Sequence, residues 1–141
     1  MMKRILFVLI IASLFVVSCG KKEVKKVTED SRVATEAFAL LETVRTAYTA
    51  RDMATLEKSS TSEGYKVVSS GMKYFDSATL TFSPVLVEVE AGAVQVNVSW
   101  KGSWKKMGKT TDHRGMAVFM LKGSPLKLDG IVRTNPFVYP Q

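Results

Sequence analysis

Eight consecutive residues set the terms for this chain: Val94, Val96, Val98 and Trp100 alternate without a break with Gln95, Asn97, Ser99 and Lys101. A period of two puts the four apolar side chains on one face of a strand and the polar ones on the other. Such a strand belongs to an antiparallel sheet with one face covered and the other wet. It is not stable alone in water, so the rest of the chain must supply partner strands and an apolar cover. The partners are legible on both sides. Leu80 and Phe82 share one parity and Val85, Val87 and Val89 the other, and Ser83-Pro84 between them predicts a bulge or bend, since proline cannot donate to a ladder. Glu90-Ala91-Gly92 predicts a tight turn, and Lys105 to Lys109 with Gly108 predicts another. Gly115 to Leu121 reads as a strand apolar on both faces, Gly123-Ser124-Pro125 as a turn, and Leu126 to Arg133 as the closing strand.

The cover lies upstream. Ala34, Ala37, Phe38, Leu41, Val44 and Tyr48 recur at spacings of three and four, which predicts an amphipathic helix from Ser31 with Asp30 or Ser31 as its N-cap. Arg51-Asp52 interrupts the pattern, and Asp52 suits the cap of a short second helix through Met53, Leu56 and Lys58. Ser59 to Ser62 reads as a polar link. Tyr65, Val68, Met72 and Phe75 return to helical spacing around Gly64 and Gly71, which predicts a third helix. Helices first and strands after give an α+β class: N-terminal helices packed on a strongly curved antiparallel sheet. At 141 residues there is room for one core. One Cys excludes an internal disulfide, and one Cys with one His excludes a zinc site built from clusters of those residues. No metal and no cofactor is expected.

Ahead of the helices, Met-Met-Lys-Arg precedes a run from Ile5 to Val17 that is apolar except for Ser13. That run is too short to span a bilayer, which takes about 20 apolar residues, and it has the form of a secretion signal. Its end, Val16-Val17-Ser18-Cys19, resembles the lipobox of bacterial lipoproteins. The resemblance implies a signal peptide over residues 1–18, cleavage before Cys19, and acylation (palmitate or a related chain) of the Cys19 thiol; an ordinary cleavage site followed by a stray thiol is the alternative. Two or three acyl chains anchor stably where one binds only marginally. In Gram-negative members of that family an Asp after the cysteine commonly signals inner-membrane retention, and Gly20 stands there. The expectation is a lipid-anchored cell-envelope protein, on the outer membrane facing the periplasm.

Residues 19–30 form a lysine-rich tether with little apolar content, leaving 31–141 as the folded domain. Lys21, Lys22, Lys25 and Lys26 either stay solvated or rest on anionic headgroups, at about 1 kcal/mol each. Loss of Lys3 and Arg4 with the signal takes the formal charge from +7 to +5. Ser31 to Gln141 keeps 14 basic and 10 acidic side chains, a mild surplus that, with secretion, argues against nucleic acid as a partner.

The order of elements is similar to that of the nuclear-transport-factor-2-like superfamily, the cystatin-like cone fold that also includes ketosteroid isomerase and polyketide cyclases. The residues that carry the likeness are Val44-Arg45-Thr46-Ala47-Tyr48-Thr49-Ala50-Arg51-Asp52 running into Leu56, the hairpin from Val94 to Trp104, and Arg114-Gly115 with Phe119 ahead of Leu126-Lys127-Leu128. It implies a sheet curved round the first helix, with a pocket at the open end of the cone or a sheet face used for dimerisation. These are fold markers and not catalytic motifs. Acid-base chemistry in such a cone needs an Asp, His or Tyr in an apolar pocket. The candidates are Tyr48, Tyr65, Tyr74, Asp76, Asp112 and His113, but Asp112 and His113 are adjacent and would point to opposite faces of a strand, or lie in a solvated turn. An isomerase or dehydratase is therefore the minor alternative, and no catalytic residue is assigned.

Binding is the expected activity. A protein-binding or dimerising module would use the outer sheet face at Gln95, Asn97 and Ser99. The basic hairpin beyond it, with Lys101, Trp104, Lys105 and Lys106, is either an ordinary soluble tip or a contact for an anionic surface, where a partly exposed Trp104 would add an amphipathic ring. A carrier of a small apolar ligand would instead use a pocket between Phe38, Leu41, Tyr65, Met72 and the sheet. The partners considered are thus the membrane through its anchor, a second copy or another envelope protein, and a small apolar ligand.

Overall fold

The computed structural model describes residues 28–141. The signal segment, Cys19 and most of the tether lie outside the described residues. The helices are α1 (Glu29–Ala50), α2 (Met53–Lys58) and α3 (Ser62–Ser69), followed by a 3-10 turn (Met72–Tyr74). The strands are β1 (Ser77–Glu90), β2 (Ala93–Lys106), β3 (Lys109–Lys122) and β4 (Lys127–Arg133), and they form one antiparallel meander in the order β1-β2-β3-β4, curved round the helices.

Thr28 is the N-cap of α1, its hydroxyl accepting the Ser31 amide at 3.2 Å. Thr28 to Asp30, read from sequence as tether, therefore open the domain, and Glu29 and Asp30 complement the helix dipole in the first turn. α1 ends on Arg51 in the left-handed region (φ 57), a conformation unfavourable to a non-glycine residue. The Arg51 side chain offsets that cost. Its guanidinium donates to the carbonyls of Met72 (3.0 Å) and Phe75 and stacks over the Phe75 ring at 4.8 Å, tying the helical corner to the 3-10 turn. Asp52 caps α2 as its position suggested, accepting the Thr55 amide at 3.1 Å.

In the sheet, Pro84 pairs with Val98 and Leu86 with Asn97, so Val85 is the extra residue of a bulge. The bulge returns Val87 and Val89 to the face of Leu80 and Phe82. Val85, grouped with them by parity, instead stands 64% exposed. The β2–β3 turn is shorter than the sequence suggests. Met107 and Gly108, both at positive φ, make a two-residue hairpin loop, and the Asp76 carboxylate accepts the Met107 amide at 2.7 Å. Gly102 permits an unusual packing. A Cβ there would stand 2.3 Å from Cη2 of Trp104 and 2.7 Å from Cδ2 of Leu80. Because that atom is missing, the Trp104 indole folds back over its own strand into the core.

The helical layer reaches both sheet edges. Arg45 of α1 donates to the Leu80 carbonyl of β1 at 2.9 Å. On β4, Leu128 donates to the Ser59 carbonyl (3.0 Å) and accepts from the Thr61 amide (2.8 Å), so the link before α3 pairs with the edge. Gly64 brings α3 onto that edge, where a Cβ would lie 2.0 Å from the Leu128 oxygen.

Candidate binding surfaces

The cone interior is occupied by the protein's own aromatics. Val44 and Tyr48 of α1 face Val96, Val98, Trp100 and Trp104 of β2, all buried in one core with Phe119 and Phe137. Phe137 comes from the C-terminal tail. Its ring lies 4.8 Å from Tyr48, 5.9 Å from Phe82 and 6.1 Å from Phe119. The tail is held by side chains on both layers. Trp100 Nε1 donates to the Thr134 carbonyl at 2.9 Å, the Asn135 amide to the Val67 carbonyl at 3.3 Å, and the Tyr48 hydroxyl to the Phe137 carbonyl at 3.1 Å.

Tyr48 also accepts from Trp104 Nε1 at 3.1 Å, so one hydroxyl links α1, β2 and the tail. Burial pushes its pKa up to about 12, against the opposing effects of the Trp104 hydrogen bond and the Arg51 charge. A phenol so placed keeps its proton at neutral pH and has both hydrogen-bonding roles engaged within the fold. Asp112 and His113 diverge as their adjacency requires. The Asp112 carboxylate accepts from Ser103 on the outer face at 2.5 Å, while His113 packs edge-on to Trp100, 5.4 Å between rings. Neither lies in a turn; both belong to β3. Tyr65 is half-buried beside the core, and Tyr74 and Asp76 are exposed.

The outer face of the sheet divides into two halves. In the first, cross-strand register aligns Leu86, Asn97, Val118 and Val132 in one row over all four strands. Leu86 and Val132 at its ends are 52% and 50% exposed, and Val85 and Met116 add apolar surface alongside. The neighbouring row carries Gln95 between Glu88 and Met120, and Ser99 lies between Ser83 and Met116. The second half is polar. Thr81, Lys101 and Arg114 form one row, and Thr79, Ser103 and Asp112 the next. Between these rows is an open groove of about 630 Å³, floored by Gly102 and His113, whose side-chain positions turn to the opposite face.

The residues singled out from sequence are thus distributed over several places. Gln95, Asn97, Ser99 and Lys101 share the outer face, as alternation required, and Lys105 and Lys106 are exposed at the end of the hairpin. Trp104 is not with them. Its complete burial corrects the expectation of a partly exposed ring, for the reason given by Gly102. Of the expected pocket residues, Leu41 and Met72 are buried in the core, Tyr65 lies at its margin, and Phe38 is 39% exposed. The groove at Lys101 and Arg114 lay unseen in the sequence because its residues come from three strands. The basic count of the hairpin was its single visible trace.

This architecture is the nuclear-transport-factor-2-like fold. A nuclear transport factor 2 (NTF2-like) superfamily protein from Salmonella enterica serovar Typhimurium superposes with a TM-score of 0.66 at 12% identity, over 76% of this chain and 93% of its own. An NTF-2-like protein of unknown function from Shewanella oneidensis matches more loosely, with a TM-score of 0.47 at 13% identity, over 67% and 93% respectively. At these identities the likeness is one of fold. No protein-family model matches the sequence, and comparison with curated proteins finds no match.

Proposed function

We propose that this protein is a non-catalytic binding module, lipid-anchored in the bacterial cell envelope through Cys19, whose domain associates through the apolar half of its outer sheet face. The observation that carries this reading is the row Leu86–Asn97–Val118–Val132, which crosses the whole sheet on the side away from the helices. Apolar residues at the ends of such a row gain about 25 cal/mol for each Å² removed from water. A second copy of this chain is the occupant best suited to it. Asn97, near the middle of the row, has both a donor and an acceptor and can pair reciprocally with itself across a two-fold axis.

The interior favours the same reading. A carrier of small apolar ligands, the alternative, would have to displace Phe137 and the three hydrogen bonds that hold the tail. An isomerase would need a poised acid or base, and Tyr48 is engaged by Trp104 and Phe137. Native mass spectrometry of the full chain, extracted from its own envelope in mild detergent, tests the module. A homodimer upholds it, a foreign chain in place of a second copy contradicts the self-association, and a monomer retaining a small apolar mass favours the carrier. The anchor is tested separately by Cys19→Ser, which should release the protein to the soluble fraction. If the variant stays with the membranes, acylation of Cys19 is not what holds it.

A further inference from the structure

The polar half of the outer face carries a charge arrangement that folding alone does not account for. Lys101 and Arg114 are direct cross-strand partners on β2 and β3, and like charges placed opposite one another destabilise a sheet. A carboxylate on the next strand would relieve such a pair. Here the third member of the row is Thr81, and among the described residues neither cation takes part in an ion pair. The one carboxylate of the groove, Asp112, is a row away and bonded to Ser103. Two unneutralised cations, one a point charge and one a planar fork, thus stand over a backbone floor with hydroxyls beside them.

We propose that this groove binds a small phosphate ester bearing a hydrogen-bond donor at its far end, with phosphoethanolamine as the simplest example. A phosphate monoester carries nearly two negative charges at neutral pH and three acceptor oxygens, which match Lys101, Arg114 and the Thr81 hydroxyl. Two residues further along the strands, about 7 Å away, Asp112 offers its carboxylate to an ammonium or hydroxyl group, with Ser103 beside it and Thr79 at the far end of the row. The groove volume of about 630 Å³ holds a ligand of this size with room for water. A phospholipid headgroup presents the same pair of groups, a phosphate and an ammonium, but as a diester with one negative charge and two free oxygens. The site lies in the other half of the face from Asn97, and it stands whether or not the apolar half is an interface.

Calorimetric titration of the full chain in non-ionic detergent with O-phosphoethanolamine tests the proposal. Saturable binding is expected, weakened at least tenfold in Lys101→Gln and in Arg114→Gln, since each removes a charge-assisted contact. Asp112→Asn should weaken phosphoethanolamine but not inorganic phosphate, which loses only the repulsion of a like charge about 7 Å away. The double variant Lys105→Gln/Lys106→Gln, outside the groove, should bind as the wild type does. All these side chains are exposed, so circular dichroism should show each variant folded. Short-chain dihexanoyl phosphatidylethanolamine separates the sources: binding at least as tight as that of the monoester, despite the lower charge, assigns a lipid headgroup, and weaker or absent binding assigns a free phosphate ester. The proposal is overturned by no saturable binding at millimolar ligand, by binding indifferent to Lys101 and Arg114, or by an equal loss in the double lysine variant.

Discussion

Replacing Tyr48 by Phe removes one oxygen from the centre of the domain and leaves the ring packing on Phe75 and Phe137 in place. Two buried partners are then left unsatisfied, the Trp104 indole N–H and the Phe137 carbonyl. A buried polar group without its partner costs about 1–3 kcal/mol, so with two such groups the variant should lose about 2–6 kcal/mol, a large part of the stability of a small domain. Urea unfolding followed by tryptophan fluorescence reads this directly, because Trp100 and Trp104 both lie in the core. The same substitution should alter the alkaline limb of stability. The folded hydroxyl keeps its proton to about 12, whereas an unfolded tyrosine releases it near 10. Between those values the unfolded chain has lost a proton that the folded one retains, so stability falls as pH rises through the window, by about 2–3 kcal/mol in all. The wild-type minus variant difference should therefore shrink from pH 9 to pH 12. A cost below about 0.5 kcal/mol, or a difference independent of pH, would refute the reasoning that Tyr48 is a structural tie.

Other perturbations follow from the same geometry. Phe137→Ala should cost about 3–5 kcal/mol by opening a cavity in the middle of the core, and a urea midpoint near that of the wild type would mean the tail is not part of it. Gly102→Ala places a methyl against Trp104 and Leu80 and should cost about 1–3 kcal/mol with a shifted tryptophan emission maximum; unchanged emission and stability would contradict the packing of Trp104 over its own strand. Lys122 and the Thr61 hydroxyl hold the Asp129 carboxyl below its ordinary pKa, and Arg45 does the same to Glu42. A depressed folded value contributes stability above the unfolded pKa of about 4 that is lost as pH falls through the folded value. Urea midpoints should thus be level from pH 7 to 5 and fall below pH 4, less steeply in Asp129→Asn; an identical slope in that variant would remove Asp129 from the explanation.

Where local periodicity met a single covering layer, the sequence was sufficient to read the structure. The alternation from Val94 to Trp100, the bend at Pro84 and the cap at Asp52 each depend on neighbours within a few residues. Val85 was misgrouped because parity counting cannot say which residue of a bulge is the extra one. β3 was read from Gly115, yet it begins at Lys109. Its first half, Lys109 to Arg114, is exposed except at half-buried Thr111 and so carries no apolar alternation. Trp104 shows a different limit. Its burial depends on a missing atom at Gly102, a contact no spacing rule describes. The tail presents the same difficulty over a longer range, since Phe137 is core because Tyr48, 89 residues earlier, holds its carbonyl.

The central claim, that the domain works through its outer face, is tested most directly by sedimentation velocity of the full chain in detergent at micromolar concentration, beside Asn97→Lys. The expected result is a dimer for the wild type and a folded monomer for the variant, because a lysine at Asn97 would set two like charges together across the two-fold axis. A wild type that sediments as a monomer, or a variant that still dimerises, would contradict the assignment of that face.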